Sequence, residues 1–332
     1  MHFRYSLSVG SNLQQETFIW RYTLRSAGTV NAKSGRTEFE GALIRVRDGF
    51  ACLHPWPELG DPSVEDLLQM MREGRGDRLI RRAHACAVLD RHARMEGRSL
   101  FTGLAVPDSH ATIVEWTHET IEKAVRSGFE TMKLKGGRDL VRELELLSEW
   151  VRLWPQVRWR IDFNGMRSFV EMRDFLGCLT GAVLERIDFL EDPCPFDAQA
   201  WTGLRELGRV PLAMDEGVAT GRGEPDVLVV KPALMDPQDL VAGALQNAQS
   251  LVVTSYMDHP LGQCFAAVEA GRLMGTEGSP LVGRCGLLTH ELFEKTEFSE
   301  RLGGMGPGFS SPAGTGLGFD DLLEKLPWTR LS

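Results

Sequence analysis

Met132-Lys133-Leu134-Lys135 is the first of five apolar runs that each carry charge at the C-terminal end. The others are Arg160-Ile161-Asp162-Phe163-Asn164, Phe189-Leu190-Glu191-Asp192-Pro193, Ala213-Met214-Asp215-Glu216-Gly217 and Val229-Val230-Lys231-Pro232. The charges come in the order two lysines, three acids and one more lysine. Short apolar runs bounded by turn formers are typical of buried strands. Five of them in succession indicate strands that bring charge to one place.

The surrounding sequence alternates between short strands and longer helical stretches. Predicted strands cover 100–106, 130–135, 157–163, 187–191, 211–215, 226–231, 251–256 and 280–283. Predicted helices cover 115–127, 139–154, 168–180, 236–249 and 261–274. Repeated β–α units imply a parallel sheet, and seven or eight in a row imply a closed barrel. The fold class predicted is α/β: a modified TIM barrel of the (β/α)7β type over residues 100–302, with its site at the C-terminal ends of the strands.

Residues 1–99 have a different pattern and predict an α+β capping domain. Strands are expected over 3–24 and 40–52, a helix capped by Ser63 follows, and another helix covers 78–96. The loops 25–36 and 54–62 are rich in turn formers. The tail, 303–332, is expected to pack on this unit, and Arg94 and Arg98 are expected at the surface.

Composition excludes several classes of protein. The 332 residues are 42% hydrophobic and 25% charged, with a formal net charge of −9, which argues against a nucleic-acid groove or an anionic membrane as the main partner. No apolar run approaches the roughly 18–20 residues that span a bilayer. Residues 1–15 carry polar residues where a signal peptide needs an apolar stretch. The six cysteines are scattered, as in a chain of reduced thiols. We therefore expect a cytoplasmic protein.

The three acids suit a hard divalent cation. Mg²⁺ prefers oxygen ligands, usually a few carboxylates with water and substrate. Asp162, Glu191 and Asp215 follow three successive charged strands. Taken singly, each could instead cap a helix or form a salt bridge at the rim. Taken together with the lysines, they favour a metal site.

The lysines fit acid–base chemistry beside such a cation. Lys133 and Lys135 are two apart in a strand, so their side chains share one face. Periodicity alone leaves open whether that face is the barrel interior or the solvent. Inside, a second lysine and a cation would favour the neutral form of a lysine base. Lys231 would lie across the barrel, as an acid or base on the opposite face of the substrate or as a cation.

This order of motifs, K-x-K, D-x-N, E-D-P, D-E and V-K-P, resembles the enolase superfamily in its muconate-lactonizing subgroup. The resemblance implies a lysine base and Mg²⁺ (Mn²⁺ is an alternative) that stabilise an enediolate. Lys135 would remove the proton α to a carboxylate and then help hydroxide to leave. Lys133 would tune it, and Lys231 would act as a cation. Asp162, Glu191 and Asp215 would bind the metal.

Within the subgroup, the chain is most similar to the o-succinylbenzoate synthase family over nearly its whole length. That implies a carbon–oxygen lyase of menaquinone biosynthesis that dehydrates a small cyclohexadiene carboxylate. Thr254, Gly286, Arg160 and Asn164 would contact the substrate, and the loops 25–36 and 54–62 would close the barrel mouth. The same lysines and metal also suit an N-acylamino acid racemase or dipeptide epimerase, and the alternatives monomer and homodimer stay open.

Two departures from the family pattern concern the barrel rim. His259 stands where the family often has a serine-rich, acid-containing turn, and a loop histidine there is either a substrate contact or incidental. The connection from Asp215 to Lys231 holds Gly221, Gly223 and Pro225. It is too short for a full helix, so we expect one barrel helix to be missing or replaced by a loop.

Overall fold

The computed structural model describes residues 16–30, 33–208, 210–218, 223–280, 283–302, 304 and 306–332. The beginning of the first predicted strand (3–15), two residues of the predicted loop 25–36 and part of the predicted strand 280–283 lie outside these ranges. No helix among the described residues is long and apolar enough to cross a bilayer.

An antiparallel sheet and two helices form the N-terminal unit. Its elements are β1 (Thr17–Arg25), β2 (Glu38–Val46), β3 (Gly49–Leu53), a 3₁₀ turn (Pro57–Leu59), α1 (Val64–Arg72) and α2 (Arg78–Met95). The predicted cap of α1 is confirmed, because Ser63 and Asp66 form a capping box. From the other end of the chain, β13 (Thr329–Arg330) pairs with β1. The sheet order is therefore β13-β1-β2-β3.

Parallel strands form the second unit. They are β4 (Asp108–Ser109), β5 (Ala111–Ile113), β6 (Thr131–Lys135), β7 (Arg158–Asp162), β8 (Ile187–Glu191), β9 (Leu212–Met214), β10 (Val227–Val230), β11 (Ser250–Val253) and β12 (Arg284–Cys285). β5 to β11 form one sheet in chain order, and β12 pairs with β4. The strands close into a barrel through β12. On one side of β12, Gly286 N donates to Val253 O of β11 at 2.8 Å, and on the other, His110 N, next to β4, donates to Cys285 O at 2.7 Å. The α/β fold class is confirmed.

Helices cover the outside of these strands. They are α3 (His118–Arg126), α4 (Leu140–Leu153), α5 (Phe169–Cys178), α6 (Gly181–Leu184), α7 (Ala198–Gly208), α8 (Gln238–Gln246) and α9 (Pro260–Met274). Near the C-terminus follow a 3₁₀ turn (Thr289–Leu292), α10 (Glu297–Arg301) and α11 (Asp320–Leu323). The described residues between β9 and β10 form no α-helix, as the short connection predicts.

The sequence prediction was wrong for two elements of this unit. Over the expected strand 100–106, residues 100–103 form a turn and 104–106 are irregular. Gly103 takes a left-handed φ of 72° that a strand does not accommodate. The first barrel strand lies later and is split at His110. Helix α7 was also missed, although its buried Trp201, Leu204 and Gly208 have helical spacing.

Helix α9 joins the two units. Thirteen of its 15 residues are buried. Ala266, Ala267 and Ala270 belong to the hydrophobic cluster of the barrel, whereas Cys264 and Phe265 belong to that of the N-terminal unit. A helix that is apolar on all sides is expected where it is enclosed by protein.

Candidate active site

Strand register brings the predicted charges to the barrel interior. Lys133 pairs with Arg160 and Lys135 with Asp162 across β6 and β7, and Asp162 pairs with Glu191 across β7 and β8. Partners in a parallel ladder share a face of the sheet. The side chains of both lysines are only 8% exposed, so the inward orientation that periodicity left open is the one observed.

Ion pairs connect all three lysines with the three predicted ligands. Lys135 Nζ lies 2.6 Å from Asp162 Oδ2. Lys133 Nζ lies 3.0 Å from the same oxygen and 2.6 Å from Glu191 Oε1. Lys231 pairs with Asp215, and its Nζ is 5.3 Å from the centroid of the Tyr256 ring. The structure therefore brings these six residues together at the C-terminal ends of their strands.

Strained backbone positions hold the carboxylates in place. Asn164 takes a left-handed φ of 51° and donates its backbone N–H to Asp162 Oδ1 at 3.0 Å. Its side-chain Nδ2 is buried and finds no hydrogen-bond partner in the described ranges. Asp192 has a φ of 41°, and its carboxylate accepts the backbone N–H groups of Asp215 at 3.3 Å and Glu216 at 3.1 Å. These bonds tie the end of β8 to the end of β9.

The charges shift one another's protonation. Burial opposes ionisation of Asp162, but Lys133 and Lys135 outweigh it and lower the pKa of this carboxyl. Burial also opposes the charge of Lys133, yet Asp162 and Glu191 raise its pKa. Burial and the charge of Asp162 raise the pKa of Glu191 to about 7. Burial, followed by the charges of Asp215 and Glu191, raises the pKa of Asp192.

An acidic cluster in this site fits a hard cation. Oxygens of Glu191, Asp192 and Asp215 lie within 4.8 Å of one another. Glu191 Oε2 is buried, and no described residue forms a hydrogen bond with it. A divalent cation would satisfy this oxygen and relieve the repulsion that raises the pKa values of Glu191 and Asp192. In the described part of the chain this cluster does not include Asp162, whose Oδ2 pairs with Lys133 and Lys135.

The other predicted contacts form the wall where β11, β12 and β4 meet. Thr254 forms a β-bridge with Gly286, and its buried Oγ1 has no hydrogen-bond partner in the part of the chain that the structure describes. Arg160 points inward but uses its guanidinium on protein groups: Nε lies 2.7 Å from Asp188, and NH1 lies 2.9 Å from His110 Nδ1. Its NH1 also donates to the carbonyl oxygen of Arg284 at 3.0 Å.

His259 does not reach this interior. It caps α9 by accepting the N–H of Leu261 at 3.2 Å, and its ring packs on Tyr22 and Phe298. Burial lowers its pKa to about 3. The structure therefore gives this residue a role in capping and packing.

The N-terminal unit contacts the rim near these residues. Lys33, in the loop 25–36, pairs with Glu216, the neighbour of Asp215. Trp56, in the loop 54–62, is fully buried and donates to Tyr256 O at 2.8 Å. Both loops thus meet the barrel at the ends of β9 and β11.

Sequence reasoning missed three residues of this region. Asp192 was read only as part of a motif, although an acid next to a ligand is a signal. Tyr256 was read as the end of a strand. His110 fell between a misplaced strand and a helix, and the alternation Ser109-His110-Ala111-Thr112-Ile113 could have placed it in a strand.

Two family models match the chain. The one described as the N-terminal domain of O-succinylbenzoate synthase matches residues 17–93. The one described as enolase C-terminal domain-like matches residues 116–228.

Curated relatives match it as well. An o-succinylbenzoate synthase of Bdellovibrio bacteriovorus is 35% identical over 322 residues, which are 93% of this chain and 97% of that protein. An o-succinylbenzoate synthase of Yersinia pseudotuberculosis is 30% identical over 146 residues, which are 41% of this chain and 45% of that protein.

Solved structures share the fold at low identity. A mandelate racemase/muconate lactonizing protein from Herpetosiphon aurantiacus has a TM-score of 0.73 and 16% identity, covering 92% of this chain and 97% of that one. The L-Ala-D/L-Glu epimerase from Bacillus subtilis has a TM-score of 0.72 and 16% identity, covering 92% and 98%. At such identities the likeness shows the fold alone.

Proposed function

Because the chain belongs to the o-succinylbenzoate synthase family of the enolase superfamily, we propose that it dehydrates 2-succinyl-6-hydroxy-2,4-cyclohexadiene-1-carboxylate to o-succinylbenzoate. It would be a carbon–oxygen lyase of menaquinone biosynthesis. The single observation that carries the proposal in the structure is the meeting of Lys133, Lys135 and Lys231 with three carboxylates inside one barrel.

We assign the proton transfers to Lys135. In its neutral form, Lys135 takes the proton α to the ring carboxylate of the substrate. The electron pair left behind expels the hydroxyl group, Lys135 returns the proton to it, and water leaves. The ring becomes aromatic, so the substrate itself supplies driving force. Lys133 lies next to Lys135 on the same carboxylate and tunes its proton affinity.

Lys231 approaches from another strand and stabilises negative charge on the substrate. It is held between Asp215 and the face of Tyr256. A cation fixed in advance where charge develops lowers the barrier without reorganisation. We keep Asn164 as a further contact, since its buried amide nitrogen is free to donate.

We propose that Asp162, Glu191 and Asp215 hold Mg²⁺, or Mn²⁺ in its place. When bound, the cation would act as a Lewis acid on the substrate carboxylate. Asp192 would orient this set through its bonds to the backbone of Asp215 and Glu216. The substrate is then a small carboxylate; neither nucleic acid nor membrane is a partner. We place the enzyme in the cytoplasm, as a monomer or homodimer.

The test is an assay of the purified protein with the cyclohexadiene substrate, followed by product absorbance. We expect turnover with Mg²⁺, none after removal of the metal by EDTA, and recovery when Mg²⁺ or Mn²⁺ is returned. Lys135→Ala should lower kcat by at least ~10²–10⁴, as expected for loss of an acid–base group. Absence of dehydration by the wild type would sink the proposal, and a near-normal rate of Lys135→Ala would mean that the base is another residue.

A second candidate function is 1,1-proton transfer, as in an N-acylamino acid racemase or dipeptide epimerase. The observation that favours it is the position of Lys135 and Lys231 on strands four places apart in the sheet, which allows one lysine on each face of a substrate. The wild type would be incubated with N-succinyl amino acids and dipeptides in D₂O. Exchange of the α-proton for deuterium would support this activity, and its absence would exclude it.

A further inference from the structure

The buried histidine His110 lies in the barrel wall, outside the set of lysines and carboxylates assigned to proton transfer and metal binding. It is 3% exposed and occupies the break between β4 and β5. Its Nδ1 lies 2.9 Å from Arg160 NH1. Because a guanidinium nitrogen can only donate, Nδ1 must accept, and the single proton of the neutral ring sits on Nε2.

Several neighbours keep the ring neutral. Burial lowers the pKa of His110 well below its ordinary value, and the charges of Arg160, Lys133 and Lys135 act in the same direction. Asp162 opposes them without reversing the shift. The direction agrees with the tautomer that the hydrogen bond to Arg160 requires.

The hydrogen bond to Arg160 uses Nδ1 and leaves the Nε2–H group available for another partner. It faces the wall formed by Gly286 and Thr254: a Cβ on Gly286 would lie 2.9 Å from His110 Nε2 and 2.8 Å from Thr254 Cγ2. Within the described part of the chain, Thr254 Oγ1 and Arg160 NH2 are buried without a hydrogen-bond partner. Buried polar groups in native proteins are normally paired. Unpaired donors at one wall therefore point to an oxygen-bearing ligand group.

We propose that His110 binds the substrate by donating from Nε2 to an oxygen of its side arm, and that Arg160 is a positioning residue that acts through His110. This inference rests on the proposed function. It changes the part expected of Arg160, whose Nε and NH1 bind Asp188, His110 and a backbone carbonyl. The nearby positive charges of Arg160, Lys133 and Lys135 favour an anionic or carbonyl oxygen over a water molecule.

Two substitutions separate the two bonds of the ring. In His110→Asn, the amide oxygen takes the place of Nδ1 and still accepts from Arg160, but nothing replaces Nε2. In His110→Gln, the amide nitrogen lies near the former Nε2 and can donate. His118→Asn, at an exposed helix position, is the matched control.

Binding would be measured calorimetrically with Mg²⁺ present, using o-succinylbenzoate, which has the side arm, and benzoate, which lacks it. We expect His110→Asn to weaken binding of o-succinylbenzoate by about 10–100-fold, as for loss of a hydrogen bond to a charged group. Binding of benzoate should change less than about threefold. His110→Gln keeps a donor but loses the bond to Arg160, so its affinity for o-succinylbenzoate should lie between those of the wild type and His110→Asn. An equal loss for both ligands in His110→Asn, or no loss at all, would overturn the proposal.

A second measurement does not depend on the folding of a variant. In wild-type protein labelled with ¹⁵N-histidine, the resonance of the His110 Nε2–H should shift on addition of o-succinylbenzoate but not of benzoate. Equal response to both ligands would contradict a contact with the side arm. Dehydration by the wild type tests the proposed function separately. If the enzyme is active but the His110 resonance responds equally to o-succinylbenzoate and benzoate, only this inference is refuted.

Discussion

At the scale of single residues, the acids of the site differ in the groups that bind their carboxylates. Asp162 is bound by lysines, whereas Asp192 is bound by backbone N–H groups. Asp192 therefore determines where Asp215 lies, even if the metal is held by Asp162, Glu191 and Asp215. Outer groups of this kind tune the affinity of a metal site through the orientation of its ligands.

Asp192→Asn tests this role. The amide keeps one acceptor oxygen, so one of the two backbone bonds is lost, and Asp215 is less well oriented. We expect the Mg²⁺ concentration for half-maximal activity to rise about 10–100-fold. Asp197→Asn, a change at an exposed acid in the loop before α7, serves as the control and should leave the midpoint unchanged. An unaltered midpoint in Asp192→Asn would remove Asp192 from the metal site.

Much of the site could be predicted from the positions of the charged residues within their strands. A spacing of two is enough to place Lys133 and Lys135 on one face, and the C-terminal position in each strand brings the acids together. His110 could not be found this way, because its partner Arg160 is distant in the chain and meets it only after the ring closes. The orientation of Asp192 depends on a φ of 41°, which no spacing predicts.

At the scale of elements, the barrel strands from β6 to β11 follow the predicted runs closely, because each is an apolar segment ending in charge or a turn former. The conformations of the loops between these strands depend on side-chain-to-backbone hydrogen bonds, which cannot be predicted from the sequence pattern. Glu143, in the first turn of α4, accepts the backbone N–H groups of Gly137 and Arg138, each at 2.9 Å. This buried carboxylate thus shapes the loop that follows Lys135.

The start of α9 carries a pH-dependent element. Asp258 is buried, and its Oδ1 has no hydrogen-bond partner among the residues described. Burial raises its pKa from 3.8 to about 7. The folded chain holds this proton more tightly than the unfolded chain does. Stability contributed by the protonated group is therefore full below pH 3.8 and is lost as the pH rises to about 7.

Asp258→Asn should remove that dependence. We expect the wild type to lose about 3 kcal/mol more of its unfolding free energy than the variant does between pH 4 and pH 7. Urea unfolding at several pH values measures it, and the difference between the two proteins cancels the other titrating groups. Parallel pH profiles would mean that Asp258 ionises in the folded chain as readily as in the unfolded one.

At the scale of the whole molecule, the tail is fastened to the N-terminal unit by a buried arginine. Arg94, expected at the surface, has a side chain only 11% exposed and pairs with Asp90 at 2.6 Å and Asp320 at 2.5 Å. Asp90 also accepts the N–H of Leu317 at 2.6 Å. Thr315 and Gly318 of the tail also contact the Arg94 guanidinium, and a helical pattern alone cannot reveal such distant partners.

Arg94→Ala should therefore destabilise the protein by about 3–5 kcal/mol, since it leaves Asp90 buried without its counter-charge. Arg98→Ala is the control: this side chain is 49% exposed and should change stability by less than about 0.5 kcal/mol. The free energy of unfolding in urea measures both. If Arg94→Ala lowered the free energy of unfolding as little as Arg98→Ala does, the tail would be held in place without Arg94.

Helix α9 limits how this architecture can be recombined. One side of the helix completes the core of the barrel, and another completes that of the N-terminal unit. A chimaera that replaced residues 16–99 with the corresponding piece of a distant relative would leave Cys264, Phe265 and Val268 against a surface that never coevolved with them. The N-terminal unit should therefore be exchanged between relatives together with α9, although more than 160 residues separate the two in the sequence.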